Sequence, residues 1–188
     1  MAQAKGTIVV PTVRFLRTRR REALERLPER LHSYLKEPLQ TGQWYPEEDF
    51  LELLRTMATL MPGSGPGLFE QLGRAGAAEH LSGVYQHLTL DGSDPLGIAR
   101  RTFALWSTMH DTGRMRTLDP TPHGATFVLE GYAHPCREMC ATLTGYFSEA
   151  LRLAGLDAHV RKTLCTMDGS PRCTWQASWN ERKPDPAA

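Results

Sequence analysis

Four cysteines, Cys136, Cys140, Cys165 and Cys173, are the residues of this chain whose types and spacing most directly offer chemistry. Cys136 and Cys140 stand four apart, so on a helix their thiols share a face, one turn from each other. Cys165 and Cys173 bracket a turn-forming stretch, Asp168-Gly169-Ser170-Pro171, and a hairpin there would set them opposite one another. A helix pair and a hairpin pair together could supply four thiolates to a tetrahedral zinc ion. Neither pair has the C-x-x-C spacing, and four free thiols suit the same pattern.

A second set is aromatic. Trp106 and His110 are four apart and lie on one helical face, where they could meet a buried small molecule. Adjacent Asp111 points about 100° away on a helix and makes a poor orienting acid for His110. No G-x-S-x-G, H-E-x-x-H, Walker or Rossmann spacing is present, so no catalytic site is expected. The glycines of Gly63-Ser64-Gly65-Pro66-Gly67 follow no strand and precede no Lys-Ser/Thr pair, which makes them a connection rather than a phosphate loop.

The elements that must position these residues fall into two halves. Residues 6 to 16, with Ile8-Val9-Val10 broken by Pro11, read as an extended strand. From Thr18, Leu24, Leu27, Leu31 and Leu35 recur at helical steps, with Pro28 expected to kink or split the segment. Trp44 and Tyr45 read as a staple packing their loop onto the core. Pro46 before two acids starts a helix carrying Phe50, Leu51, Leu54 and Met57 and ending before Pro62. Two more helices are expected over 68–90 and 94–111, around the turn Asp91-Gly92-Ser93, and Gly73 and Gly76 suggest a break or a close helix contact. Then the period changes. Arg114–Leu118 and Ala125–Tyr132 form one hairpin, a helix runs from Pro135 through Leu153, and Ala158–Cys165 with Cys173–Trp179 form a second hairpin. Helices first, then two hairpins flanking a helix, is an α+β layout.

The chain has 188 residues, with 22 Lys+Arg against 21 Asp+Glu. That is enough for one domain with its own core, and it offers no whole-molecule charge to drive binding to nucleic acid or membranes. The N-terminal apolar run is too short for a secretory segment, and charges interrupt every helical stretch below membrane-spanning length. A cytoplasmic protein is expected, in which cysteines are thiols or metal ligands before they are disulfides.

Cys136, Thr144-Gly145-Tyr146 and the closing C-x-x-x-G-x-P-x-C of Cys165–Cys173 resemble the terminal signature of the 4-vinyl reductase domain. That family shares a fold with haem-nitric-oxide-binding domains and with TRAPP trafficking subunits, and includes sensor domains of phenol-responsive activators. The resemblance covers roughly residues 100 to 179. Over a longer span, Trp44-Tyr45-Pro46, Gly73, Val84-Tyr85, Asp94-Pro95-Leu96 and Leu105-Trp106 with His110-Asp111-Thr112-Gly113 resemble a family of about this length expanded in myxobacteria, which brings no activity with it. The first resemblance implies zinc held at Cys136, Cys165 and Cys173 with a carboxylate three residues before Cys165. Here that place is Lys162, which cannot replace the carboxylate, so Cys140 is expected to supply the fourth ligand.

The resulting expectation is a single domain over residues 1–180: 1–17 as an opening segment, 18–111 mainly helical, 112–180 hairpin-helix-hairpin, with 181–188 as a tail. Its helical layer packs on an antiparallel sheet. Function is expected to be non-catalytic: a small-molecule-binding sensory or signalling module acting through a protein partner, or alternatively an interaction adaptor without a ligand. The small, apolar ligand would sit against Trp106, His110 and Tyr132 between helices and sheet. Structural zinc and a homodimer are expected; haem, for which His87, His110 and His134 only loosely suggest a ligand, is disfavoured.

Overall fold

Residues 1–63, 67–83, 97 and 104–181 are described by the structure, a computed structural model. The glycine connection at 64–66, residues 84–90 of the helix expected over 68–90, the turn at 91–93, residues 94–96 and 98–103 of the helix expected over 94–111, His87 and the tail beyond 181 lie outside them.

The N-terminal half is helical: α1 (Gly6–Thr18), α2 (Arg20–Arg26), a 3-10 turn (Glu29–Leu31), α3 (His32–Lys36), α4 (Glu47–Leu60), α5 (Leu68–Ser82) and a short α6 (Trp106–Met109). The expected opening strand is instead α1. Its β-branched run suggested a strand, but Val9, Val13 and Leu16 are buried at three- and four-residue steps, and packing that face outweighs the local preference. Pro11 is accommodated six residues into the helix. The Leu-rich segment splits at Leu27, immediately before Pro28, as its pattern predicts. Pro46 sits at the N-cap of α4.

Two short strands, β1 (Gln3–Lys5) and β2 (Trp44–Pro46), pair antiparallel beside these helices. The C-terminal half is β3 (Arg114–Thr121), β4 (Gly124–Glu130), α7 (Arg137–Leu153), β5 (Leu156–Leu164) and β6 (Cys173–Glu181). The two hairpins join into one antiparallel sheet of order β3-β4-β6-β5. The architecture is therefore α+β with two hairpins flanking a long helix. Phe127 of β4 stands opposite Trp175 of β6, and Phe147 of α7 meets both rings edge-on at 5.2 and 5.3 Å. Trp175 is fully buried, and its indole N–H donates to Thr144 Oγ1 at 2.9 Å, fixing α7 across the sheet. No helix among the described residues is long and apolar enough to cross a membrane.

α5 crosses α7 at very short range. A Cβ on Gly73 would lie 1.9 Å from the Thr142 carbonyl oxygen, and one on Gly145 would lie 1.9 Å from that of Glu70. The two glycines serve opposite sides of one contact, which answers the expectation of close packing at Gly73. At Gly76 an added Cβ would meet nothing within 4 Å.

Candidate functional site

The first strand pair builds a buried polar cluster. Ala4 of β1 also bridges to His110, the Asp111 N–H donates to the Gln3 carbonyl at 3.1 Å, and the Glu47 N–H donates to the Ala2 carbonyl at 2.9 Å. These bonds draw the start of α4 against the end of α6. There Glu47, wholly buried, accepts from His110 Nδ1 at 3.0 Å on both carboxylate oxygens, and from the Tyr132 hydroxyl at 2.7 Å. Trp106 stacks on His110 with ring centres 4.0 Å apart, and its indole N–H donates to the Thr112 carbonyl at 2.8 Å. Tyr132 stands edge-on to both rings. Burial, reinforced by the Glu47 charge, pushes the Tyr132 hydroxyl far above its ordinary range, so it remains a donor. Gly113, at φ +81°, makes the tight turn beneath these rings, where a side chain would press on Trp106, Leu129 and Tyr132 at 3.1 Å.

Beside this cluster lies a partly open cavity of about 260 Å³, lined by α1, α4, α5, α6, α7 and Met115 of β3. Trp106 and His110 form part of its wall, and four methionines, Met57, Met109, Met115 and Met139, line it too. His80 of α5 and Tyr146 of α7 also line it, their rings 6.0 Å apart. Burial lowers the His80 pKa against an opposing pull from Glu79, which favours a neutral imidazole. No lysine or arginine is among the described lining residues. The structure thus brings Trp106, His110 and Tyr132 together but sets only the first two on this cavity. Tyr132 lines a separate cavity of about 230 Å³ and reaches His110 through Glu47. Sequence reasoning missed Glu47, His80 and Tyr146. The spacing Gly73, Gly76, His80 is a helical face of steps three and four, and reading it through to His80 would have found one of them.

The thiols gather around Cys140, about 100° round α7 from Met139. Cys140, Cys165 and Cys173 are buried, with their sulfurs all within 4.8 Å of one another and Cys140 Sγ 3.8 Å from each of the other two. A tetrahedral ion with metal–sulfur bonds of about 2.3 Å needs sulfur–sulfur edges of about 3.8 Å. These three cysteines could therefore hold a metal ion. Cys136, expected as one of the four ligands, lies outside the cluster of three: it is the N-cap of α7, and its sulfur accepts from the Met139 N–H at 3.5 Å. Lys162, at the place where the resemblance puts a carboxylate, sets its ammonium 2.8 Å from Cys140 Sγ and 3.9 Å from the Trp175 ring centre. The sulfurs form a donor chain. The Cys140 thiol hydrogen-bonds to Cys173, with Thr166 and Lys162 assisting, and holds Cys173 down at about 4; the same bond and burial raise Cys140. Burial likewise raises Cys136.

No protein-family model matches this chain, and no curated protein does. Solved structures match nearly all of it. An Fe(II) unliganded H-NOX protein from K. algicida is 13% identical, with a TM-score of 0.68 over 96% of this chain and 99% of that one. An oxygen-binding H-NOX domain related to soluble guanylate cyclases, in its oxygen complex, is 12% identical, with a TM-score of 0.67 over 96% of this chain and 100% of that one. A structure addressing heme distortion in the H-NOX family is 12% identical, with a TM-score of 0.68 over 98% and 99%. At these identities the likeness is one of fold. Of the relatives suggested by the sequence, the haem-nitric-oxide-binding fold is the one these structures support.

Proposed function

We propose that the chain is a non-catalytic sensory module that binds a small apolar molecule in the 260 Å³ cavity and signals through a protein partner. The observation that carries this is the cavity itself: largely apolar and methionine-rich, with Glu79, His80, His110 and Tyr146 among its polar lining. A cavity of about 150 Å³ holds benzene and drug-sized pockets begin at about 300 Å³, so the space suits a ligand of one or two rings. Polarisable methionine sulfurs favour aromatic contents. The H-NOX fold, two of whose members above are described as oxygen-binding and heme-bearing, supports sensing. Leu164 and Met167, exposed together near the β5–β6 turn, suit a protein partner.

Haem does not fit the described wall. It offers imidazoles in His80 and His110, the second already held by Glu47, but no lysine or arginine for propionates among the described lining residues. A pyridine haemochrome assay on protein purified from haem-supplemented cells is expected to show no haem; stoichiometric haem would replace the smaller ligand in this reading.

Gly76 offers the direct test. It lines the cavity and an added Cβ meets nothing within 4 Å, so Gly76→Leu can start without a backbone clash and should extend into the space. Indole is expected to bind the wild-type chain by calorimetry, and binding should fall at least about tenfold, a loss of about 1.4 kcal/mol, in Gly76→Leu. Failure of a panel of one- and two-ring compounds to bind the wild type, with no small molecule retained in native mass spectra, would favour the adaptor.

The thiols fit a structural zinc held by Cys140, Cys165 and Cys173, whose ionised sulfurs would be offset by the ion and by Lys162. Elemental analysis should find one zinc per chain, lost in Cys165→Ser and kept in Cys136→Ser. Equal loss in both would restore the four-cysteine site read from the sequence.

A further inference from the structure

The four-stranded sheet ends in two edges, and the chain treats them differently. β3, at one edge, is blunted. Arg114 and Arg116 stand exposed along it, its register breaks between Leu118 and Thr121, and Pro120, which has no N–H to offer, follows Asp119 at φ +48°. β5, at the other edge, is open. It pairs with β6 in unbroken register from Leu156 to Lys162, contains no proline and pairs with no other described strand, so one row of its main-chain N–H and C=O groups faces no strand. Such a row is a template for a further strand. Lysine commonly guards such edges, but Lys162 turns inward, where its ammonium meets Cys140 and the Trp175 ring.

Alternation divides the side chains of β5. Leu156, Ala158 and Val160 join the core, while Asp157, His159 and Arg161 form an exposed row on the outer face of the sheet. Among the described residues neither Asp157 nor Arg161 has an ion pair; Arg161 meets only the Gln176 amide oxygen, at 3.2 Å. The two charges are opposite and equally spaced about His159. A two-fold axis through His159 therefore brings Asp157 of each copy opposite Arg161 of the other, with Ala158 opposite Val160. Moving the axis one residue either way sets Asp157 opposite His159 or Thr163, and both ion pairs are lost. We propose that β5 is a homodimer interface: two copies of this chain pair their β5 strands antiparallel about His159, joining two four-stranded sheets into one of eight strands, with the Asp157–Arg161 pairs fixing the register. The contact is isologous, and opposite charges across an antiparallel pair stabilise it where like charges destabilise it. One strand pair is a small interface, so the dimer is weak and concentration-dependent. Leu164 and Met167 lie beyond the paired residues, and the pairing is independent of what the cavity or the thiols hold.

Sedimentation velocity of the full chain reads the assembly. A monomer–dimer equilibrium is expected, with a Kd on the order of 10 µM. Asp157→Arg and Arg161→Asp each turn both attractive pairs into like-charge pairs and should raise that Kd at least about tenfold. The double variant Asp157→Arg/Arg161→Asp exchanges the charges and should return it to within about threefold of wild type. An equimolar mixture of the two single variants should dimerise as well, because each chain supplies the charge the other lacks. Both side chains are exposed, so the urea midpoints of all three variants should match the wild type. His159→Cys reads the register. Opposite residues of an antiparallel pair stand about 4.5–5.5 Å apart at Cα, within reach of a disulfide, so diamide should link the tryptic peptide 153–161 to itself across two chains. A wild-type chain still monomeric at about 200 µM would overturn the proposal. So would a dimer that the single reversals leave intact, reversals that the exchange does not rescue, or a His159→Cys chain that forms no 153–161 link.

Discussion

Gly145→Ala should destabilise the protein by about 3 kcal/mol, read as a shift in its urea midpoint at unchanged slope. The new methyl would lie 1.9 Å from the Glu70 carbonyl oxygen, a backbone atom that cannot rotate away. Relief requires α5 and α7 to separate, and their contact is what sets His80 opposite Tyr146. Gly73→Ala makes the reciprocal clash with the Thr142 carbonyl and should cost a similar amount. Gly76→Ala is the internal control. It lies on the same helix with open space before it, so relief of glycine's conformational cost should leave stability unchanged or raise it by up to about 1 kcal/mol. Equal effects at Gly76 and Gly145 would show that helix preference, not close approach, governs these positions.

Glu47→Ala should be the other large loss, about 3–5 kcal/mol, since it strips a wholly buried carboxylate from one buried and one half-buried donor. His110 Nδ1 and the Tyr132 hydroxyl would each lose their acceptor. Glu47→Gln keeps the volume and one acceptor oxygen but adds a donor where donors already converge, and should cost about 1–3 kcal/mol. Tyr132→Phe leaves the His110 contact intact and should cost least. That order, measured by urea unfolding, distinguishes a shared hub from two independent contacts. A Glu47→Ala variant within about 1 kcal/mol of wild type would remove the hub from this description.

The two hairpins, the helix between them and the helix after Pro46 were legible because alternation, turn residues and capping signals agreed in each. The opening helix was not, because β-branched residues around Pro11 argued locally for a strand while only packing expressed the helical period. Trp106 and His110 could be paired from their spacing. Tyr132 could be named by type but not placed, since its path to His110 runs through Glu47. Glu47 itself had no distinguishing mark in a Glu47-Glu48-Asp49 helix start; only the β1–β2 pair decides which of the three acids is enclosed. The cysteines were legible as a set but not in membership. Four-residue spacing put Cys136 and Cys140 on one face, whereas the helix begins between them, so the first caps and the second reaches the hairpin.

α7 is a wall held in common. Met139, Leu143 and Tyr146 face the large cavity, while Cys140, one residue along from Met139, faces the thiols. Whatever sits on one side therefore bears on the other, and thermodynamic linkage makes the bargain symmetrical: if filling the cavity changed the affinity of the thiols for a metal tenfold, the metal would change affinity for the cavity's occupant by the same tenfold, about 1.4 kcal/mol of coupling carried by one helix.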